Sequence, residues 1–482
     1  MFKTLIKKEL RAIFNSPKFT AIFAVCSLLM LLSVYIGISE YEQSVMQYQT
    51  THELTEQRMS EATAWPQVRS KAQRAPNPLQ IFVGGLSYDI GRWSIIDGES
   101  SVKLRNTHYS DNPIYALFRI IDFAFIVQFI LSLFAILITY NAINGEREYG
   151  TLQLVFSNPV SRAKYLLAKC AGSWLGLIIP ISIPILLSLL LVVIFKVPMS
   201  GDDWMKTLAF MMVSLLFFTF FIILGVFISS LVRRSSVSFL IALLAWVVLV
   251  LIIPRTGVLA AGQMVYVPRI AEIEGQRDAF AKDKWAVHYN KLEERWRDRN
   301  AESGNCAADD EKIWKWMKED DAARKNMEIE IEEFYAKLKE DYRRKKAVRE
   351  RLAGTISRIS PASAYQLAAM AITDTDLSLK NRYEDSMNSY RTQFNDYISE
   401  KAEKSGASGH VMIKISTEDG FDVSSFDSDE TLDLDGLPRF EPPKLGFEES
   451  LSSAVIDFGL LGLYSILVFA GAFNRFLKSD IM

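Results

Sequence analysis

Apolar residues in this chain gather into long blocks, and the charges gather between them. Six blocks, at 18–39, 114–143, 166–195, 206–231, 235–254 and 451–474, are apolar enough to cross a bilayer as helices, which takes roughly 20 residues each. The pattern predicts a mostly α, polytopic membrane protein. Ahead of the first block, in 1–17, Phe2, Leu5, Ile6, Leu10, Ile13 and Phe14 recur at three- and four-residue steps, with Lys3, Lys7, Lys8 and Arg11 on the other side. That periodicity predicts a basic amphipathic helix lying in the headgroup layer. The third block carries Gly172 and Gly176, then Pro180 and Pro184. The glycines allow close helix approach, and the prolines free backbone carbonyls and kink the helix.

Two stretches leave the membrane. The first, 40–113, is polar and punctuated by Trp65-Pro66, Pro76-Asn77-Pro78 and Gly84-Gly85. The second, 255–450, is long enough for a folded domain inserted between spans five and six. Its first part is highly charged and helix-like. Trp285, Tyr289, Leu292 and Trp296 keep helical spacing, as do Met327, Ile331, Phe334 and Leu338, with Gly304-Asn305 between the two sets. A helical hairpin is predicted, its seam suited either to a partner or to a local core. A more apolar helix follows Ser360-Pro361, then a further helix, then a loop-rich stretch with an alternating strand pattern at 411–415 and an acidic run from Asp427 to Asp435. That run lacks the spacing and closing Glu of a calcium loop.

Lys and Arg at the block ends set the orientation. Lys3, Lys7, Lys8, Arg11, Lys18, Arg147, Arg162, Lys164, Lys169, Arg233, Arg234, Arg475 and Lys478 all fall on one face, which places both termini in the cytoplasm. The stretches 40–113 and 255–450 are then extracytoplasmic. A net charge of −2 over 482 residues argues against a nucleic-acid partner. Cys26, Cys170 and Cys306 imply no pairing, and His52, His108, His288 and His410 have no ligand spacing, so no metal site is expected. Two carboxylates stand within span boundaries. Asp122 follows Arg119 in the second span, and Asp457 lies in the last. Both read either as an outer gate on a translocation path or as groups hydrated or paired at interface depth.

The stretch 144–165 lies between two long runs, 123–143 and 170–195, that carry no charge, and must lie at the membrane surface. Glu146, Arg147 and Glu148 precede an apolar set, Leu152, Leu154, Val155 and Phe156, and Asn158-Pro159 closes it. It reads as one short helix with a greasy face stopped by proline, or as an ordinary cytoplasmic loop.

The string E-R-E-Y-G-T-L-Q-L-V-F-S-N-P-V-S-R, closed by Lys169, resembles the signature of ABC-2 type ABC transporter permeases. The resemblance implies that this is the coupling helix, seated in a groove of a separate ATPase subunit. Glu146, Arg147, Glu148, Tyr149, Gly150, Thr151, Leu152, Pro159 and Arg162 are then the coupling residues. The insert resembles a subgroup with a large extracytoplasmic domain, the multi-copper enzyme maturation and gliding-motility type permeases. It does so at Ile253-Pro254, at Y-V-P-R from Tyr266, at S-P-A-S-A-Y-Q-L-A-A-M-A-I-T-D-T-D-L from Ser360, at Tyr390-Arg391, at G-L-P-R-F before the last span and at the closing F-L-K-S-D-I-M. It departs at Ile372-Thr373-Asp374-Thr375-Asp376, where relatives tend to carry Leu-Ala-Gly-Thr-Asp. No Met, His or Cys cluster supports carrying the copper link over.

The chain contains no G-x-x-x-x-G-K-[ST] loop to cradle phosphates and no G-x-S-x-G or H-E-x-x-H. It is therefore read as a non-enzyme that binds no cofactor itself, with ATP and Mg on the partner ATPase. The expected function is the permease subunit of an ATP-driven exporter in the bacterial inner membrane. The alternative is a mechanotransmitter acting on an extracytoplasmic protein without moving a substrate. Expected partners are an ATPase dimer, a second permease copy or a paralogue, and membrane lipid.

Overall fold

The structure is a computed structural model that describes residues 2–97, 102–111, 121–303, 310–404, 414–415, 421–422 and 432–478. The start of the expected second span with Arg119, the Gly304-Asn305 break, Cys306, His410, most of the expected strand at 411–415, the start of the acidic run at Asp427 and the last four residues lie outside the described residues.

Among the described residues, six helices are long and apolar enough to cross a membrane. Helix α1 spans Phe2–Phe14 and α2 spans Pro17–Ser60. Helix α3 runs Phe123–Glu148, α4 is the short Thr151–Phe156, and α5 is Arg162–Ile194. Helices α6, Gly201–Leu231, and α7, Ser235–Met264, complete the first five crossings. The chain is a mostly α, polytopic membrane protein.

Helix α2 does not stop where its apolar block stops. It runs on to Ser60 through the polar part of the stretch read as a punctuated extracytoplasmic region. The reason is local: between residues 40 and 60 there is no Gly or Pro, and polarity by itself does not end a helix. The breaks begin only at Trp65-Pro66, after which strands β1, Ser70–Gln73, and β2, Trp93–Ile96, form an antiparallel pair.

Helix α1 is docked against α5. A Cβ on Gly172 would stand 2.7 Å from Glu9 Cβ, and one on Gly176 would stand 2.8 Å from Ile13 Cδ1. The two glycines therefore let the N-terminal helix approach at backbone distance.

The insert expected as one domain divides into two parts. Residues 253–359 form one compact unit, while residues 360–482 belong with 1–252 in the other. In the smaller unit, α8, Ile270–Ser303, and α9, Asp310–Ser357, pack antiparallel. Phe280 stacks on Phe334 with ring centres 4.1 Å apart, and Arg299 reaches Asp320 at 2.9 Å and Glu319 at 3.0 Å. Met327 and Ile331 are buried in this unit, whereas Tyr289, read from its spacing as a seam residue, is exposed.

In the larger unit, the apolar helix α10, Pro361–Ile372, is not part of a soluble domain. It lies in the same core as the spans, and Ala362, Ala364, Tyr365, Ala368 and Ala369 are fully buried there. Tyr365 stacks on Phe217 at 4.5 Å, and its hydroxyl lies 3.1 Å from Ser214 Oγ, both of these partners near the middle of α6. A 12-residue apolar helix is too short to span, and this one instead packs its apolar face into the core that the spanning helices share. Its entry is fixed by Ser360. That hydroxyl accepts from the Ala362 amide at 3.0 Å and donates to the Leu249 carbonyl, which lies in a π-helical stretch of α7. Wide turns of this kind leave a carbonyl in need of a donor, and Ser360 supplies it.

Helix α11, Leu379–Lys404, packs Leu379, Tyr383, Met387, Tyr390 and Phe394 against Trp65, Val68, Ile90 and Ile96 from the β1–β2 region. A second two-stranded pair, Lys414–Ile415 with Phe421–Asp422, follows, and α12, Phe447–Leu477, is the last crossing.

Candidate coupling site

The loop between the second and third crossings is built from two helical pieces, not one helix. A turn at 140–143 ends the spanning part of α3 at Thr139, a short piece covers Asn144–Glu148, the chain turns again at Tyr149 and Gly150, and α4 covers Thr151–Phe156. Gly150 has φ 72°, the left-handed region in which other residues are strained, and a Cβ there would meet nothing within 4 Å. Its requirement is backbone shape, not space. Ser161 caps α5 by accepting from the Lys164 amide at 3.4 Å.

Glu146 is the hub of the loop. Its Oε1 accepts from Lys8 Nζ at 2.7 Å and Lys169 Nζ at 3.0 Å, and its Oε2 accepts from the Tyr165 hydroxyl at 2.6 Å. Lys169 Nζ also donates to Glu9 Oε2 at 2.6 Å. Two carboxylates and two ammonium groups thus balance across α1, α3 and α5. Glu148 accepts from both the Ser235 amide at 2.8 Å and its hydroxyl at 2.6 Å, which anchors the start of α7. Asn144 Oδ1 accepts from Ser229 Oγ at 3.1 Å, tying the end of α6 to the same loop. Arg162 Nη1 donates to the Leu477 carbonyl at 2.5 Å, at the end of α12. Thr151 Oγ1 donates to the Glu146 carbonyl at 3.2 Å. Arg147 keeps Nε and Nη2 shielded with no hydrogen-bond partner among the described residues.

The apolar set of α4 splits. Leu152 is buried with Ile143, Tyr165 and Phe476, and Val155 and Phe156 pack on the same cluster. Leu154 points out at 68% exposure, next to Tyr149 at 85%, and Pro159 is also exposed. The predicted greasy face therefore serves the protein's own bundle, and an outward pair, Tyr149 and Leu154, is left over. A six-residue helix cannot turn four apolar residues within five positions to one side.

The two span carboxylates lie in different surroundings. Asp122 caps α3, its Oδ1 accepting from the Phe125 amide at 2.7 Å and its Oδ2 from the Gly84 amide at 2.9 Å. Asp457 is 1% exposed on α12. Lys8 and Tyr165 directly, and Glu9 through Lys169, complete the hub, and none of the three was singled out with Glu146 from the sequence. The signal for Glu9 was present, because it is the one acid in the basic helix α1.

At the opposite end of the bundle is a second buried pair. Lys206, near the start of α6 and 3% exposed, donates to Asp374 Oδ2 at 2.6 Å and to the Leu445 carbonyl at 2.8 Å, and Ser450 Oγ donates to Asp374 Oδ1 at 2.6 Å. Asp374 has φ 58°. This is the position at which the family resemblance leads one to expect glycine, so the turn keeps its left-handed shape and gains a carboxylate. Asn77 Nδ2 holds the neighbouring Thr373 carbonyl at 2.8 Å.

A family profile described as ABC-2 family transporter protein matches residues 3–481, nearly the whole chain. The chain belongs to the ABC-2 family transporter proteins. Curated proteins give no match. Membership in the ABC-2 family agrees with the six membrane-crossing helices and with a membrane subunit that works beside ABC ATPases.

Proposed function

We propose that this ABC-2 family protein is the permease subunit of an ATP-driven exporter, driven by a separate ATPase that docks on the loop at Tyr149–Phe156. The observation that carries this reading is the division of labour in the loop. Its inward side is wired to α1, α5, α6, α7 and α12 by Glu146, Glu148, Asn144 and Arg162, while Tyr149 and Leu154 stand in solvent with nothing of this chain over them. Large exposed apolar side chains beside a rigid polar anchor fit a surface that receives a push from another protein.

In this reading the loop and both termini are cytoplasmic. ATP and Mg bind between two ATPase subunits, their closure presses on α4, and the Glu146 hub passes the displacement to α1 and α5 together. Gly150 supplies the bend between α3 and α4. Six crossings leave little room for a path, so a second permease, identical or a paralogue, completes the assembly in the inner membrane. Asp122 and Asp457 would line the outer mouth; unchanged transport after both are replaced by Asn removes that gate.

The coupling test is direct. Tyr149→Asp with Leu154→Asp is expected to free the ATPase from the purified complex while the membrane protein keeps its melting temperature. Retention of the ATPase by that double variant rules the docking surface out.

A second reading, mechanotransmission to an extracytoplasmic protein without transport, is favoured by the hairpin of α8 and α9. Their 34 and 48 residues correspond to rods of about 50 and 70 Å. Stimulation of ATP hydrolysis by a purified extracytoplasmic partner, and not by any solute, would favour this alternative.

A further inference from the structure

The larger unit holds a cavity of about 670 Å³ at the end of the bundle opposite the Glu146 loop. It lies between the turn at 74–80, the start of α6, the Asp374 turn and the segment 442–446. That volume is within the range of about 300–1,000 Å³ typical of small-molecule sites. The charges that line it are mostly accounted for. Lys206 is paired with Asp374, and Arg382 with Asp376 at 3.2 Å. Asp203 is spent on the Ser200 amide and hydroxyl in the cap of α6.

Asp202 and Lys444 also line the cavity and are exposed to solvent; among the less exposed charges, Arg74 is the exception. Its guanidinium donates to the Ser87 carbonyl, and no carboxylate among the described residues comes within ion-pair distance. Burial draws it down to about 10, still charged at neutral pH, and the nearby Arg92 adds like-charge repulsion. A largely buried cation without an anion is costly to keep. Five prolines, Pro76, Pro78, Pro198, Pro442 and Pro443, supply the flat apolar part of a wall that is otherwise mostly polar, with Asn77, Gln80 and Tyr383 among its residues. Rigid proline walls lose little entropy on holding a ligand, and a guanidinium offers paired N–H groups to a carboxylate.

We infer that this cavity is a binding site for a small organic anion, whose acidic group pairs with Arg74 while its apolar body lies against the prolines. The site is separate from the ATPase-docking loop, so its occupancy is measurable on the permease alone.

The experiment uses the full-length protein in detergent, with 4-phenylbutyrate, its neutral amide and the corresponding amine as probes. Calorimetry should show saturable binding of the carboxylate only. Arg74→Gln should weaken it by roughly tenfold or more, with Arg74→Lys in between. Should Arg74→Gln fail to fold, the wild-type chain decides: phenylglyoxal modification of Arg74, followed by mass spectrometry, should slow as carboxylate is added. Equal modification at every soluble concentration, or an amide that binds as well as the acid, overturns the inference.

Discussion

Each end of the bundle holds a buried lysine against carboxylate, and the two nodes are built differently. At the loop end, Glu146 faces both Lys8 and Lys169, and Lys169 faces both Glu9 and Glu146, so the two central charges each have two partners, and Lys8 remains half exposed. At the other end, Lys206 has one carboxylate, Asp374, and the rest of its bonding comes from a carbonyl and, through Asp374, a serine hydroxyl. A shared, partly wet network can lose a contact and re-form it elsewhere. A single pair cannot, because removal of either member leaves the other charge with no counter-charge. The contrast predicts that the loop end tolerates the loss of one contact better than the Lys206 end, where Asp374 ties α6 to α12.

The largest expected effect is therefore at Lys206. Lys206→Met should destabilise by about 3–5 kcal/mol, read as a drop in melting temperature in detergent. Adding Asp374→Gly should recover most of it, since the stranded carboxylate is gone and glycine suits a φ of 58°. Strictly additive losses would contradict the pair as described.

Glu146→Gln should cost less, roughly 1.5–3 kcal/mol, because Glu9 still serves Lys169 and the site is partly solvated. It should nevertheless uncouple ATP hydrolysis from transport. A loss of stability equal to that of Lys206→Met would erase the distinction between the two nodes.

The smallest effect marks the far end of the same scale, in the hairpin of α8 and α9. There Asp321, Glu330 and Asp341 sit in water and are held below the usual carboxylate range by hydrogen bonds from Arg324, Lys284 and Lys345 respectively. Depressed carboxylates stabilise the fold above their unfolded values, and that contribution fades as pH falls through the folded ones. Acidification to about pH 3 should lower the helical circular dichroism only slightly, since exposed pairs contribute little. A cooperative loss of helix would mean that these pairs matter more than the buried ones.

The number of crossings was legible because uninterrupted apolar length leaves few other outcomes. Helix ends were less so: polarity marks where a span leaves the apolar layer, not where its helix stops, and with no Gly or Pro between 40 and 60 α2 continues. Helix α10 was legible as a helix but not as part of the span core, since Ala-rich apolar faces suit either setting. The loop could be found from its own string. Its wiring could not, because Lys8 and Glu146 are 138 positions apart and Lys206 and Asp374 are 168 apart. The split of Leu152 from Leu154 was legible from helix geometry, since residues two apart on one helix lie on opposite sides.

The central claim is that another protein's force enters through the outward face of α4. A photo-crosslinking amino acid at Leu154, with a control at Met205 on the exposed surface of the opposite end, tests it in membranes. The account predicts an adduct with a nucleotide-hydrolysing protein from position 154 and none from 205. An adduct from 205 alone, or none from 154 while the ATPase is present and active, would contradict it.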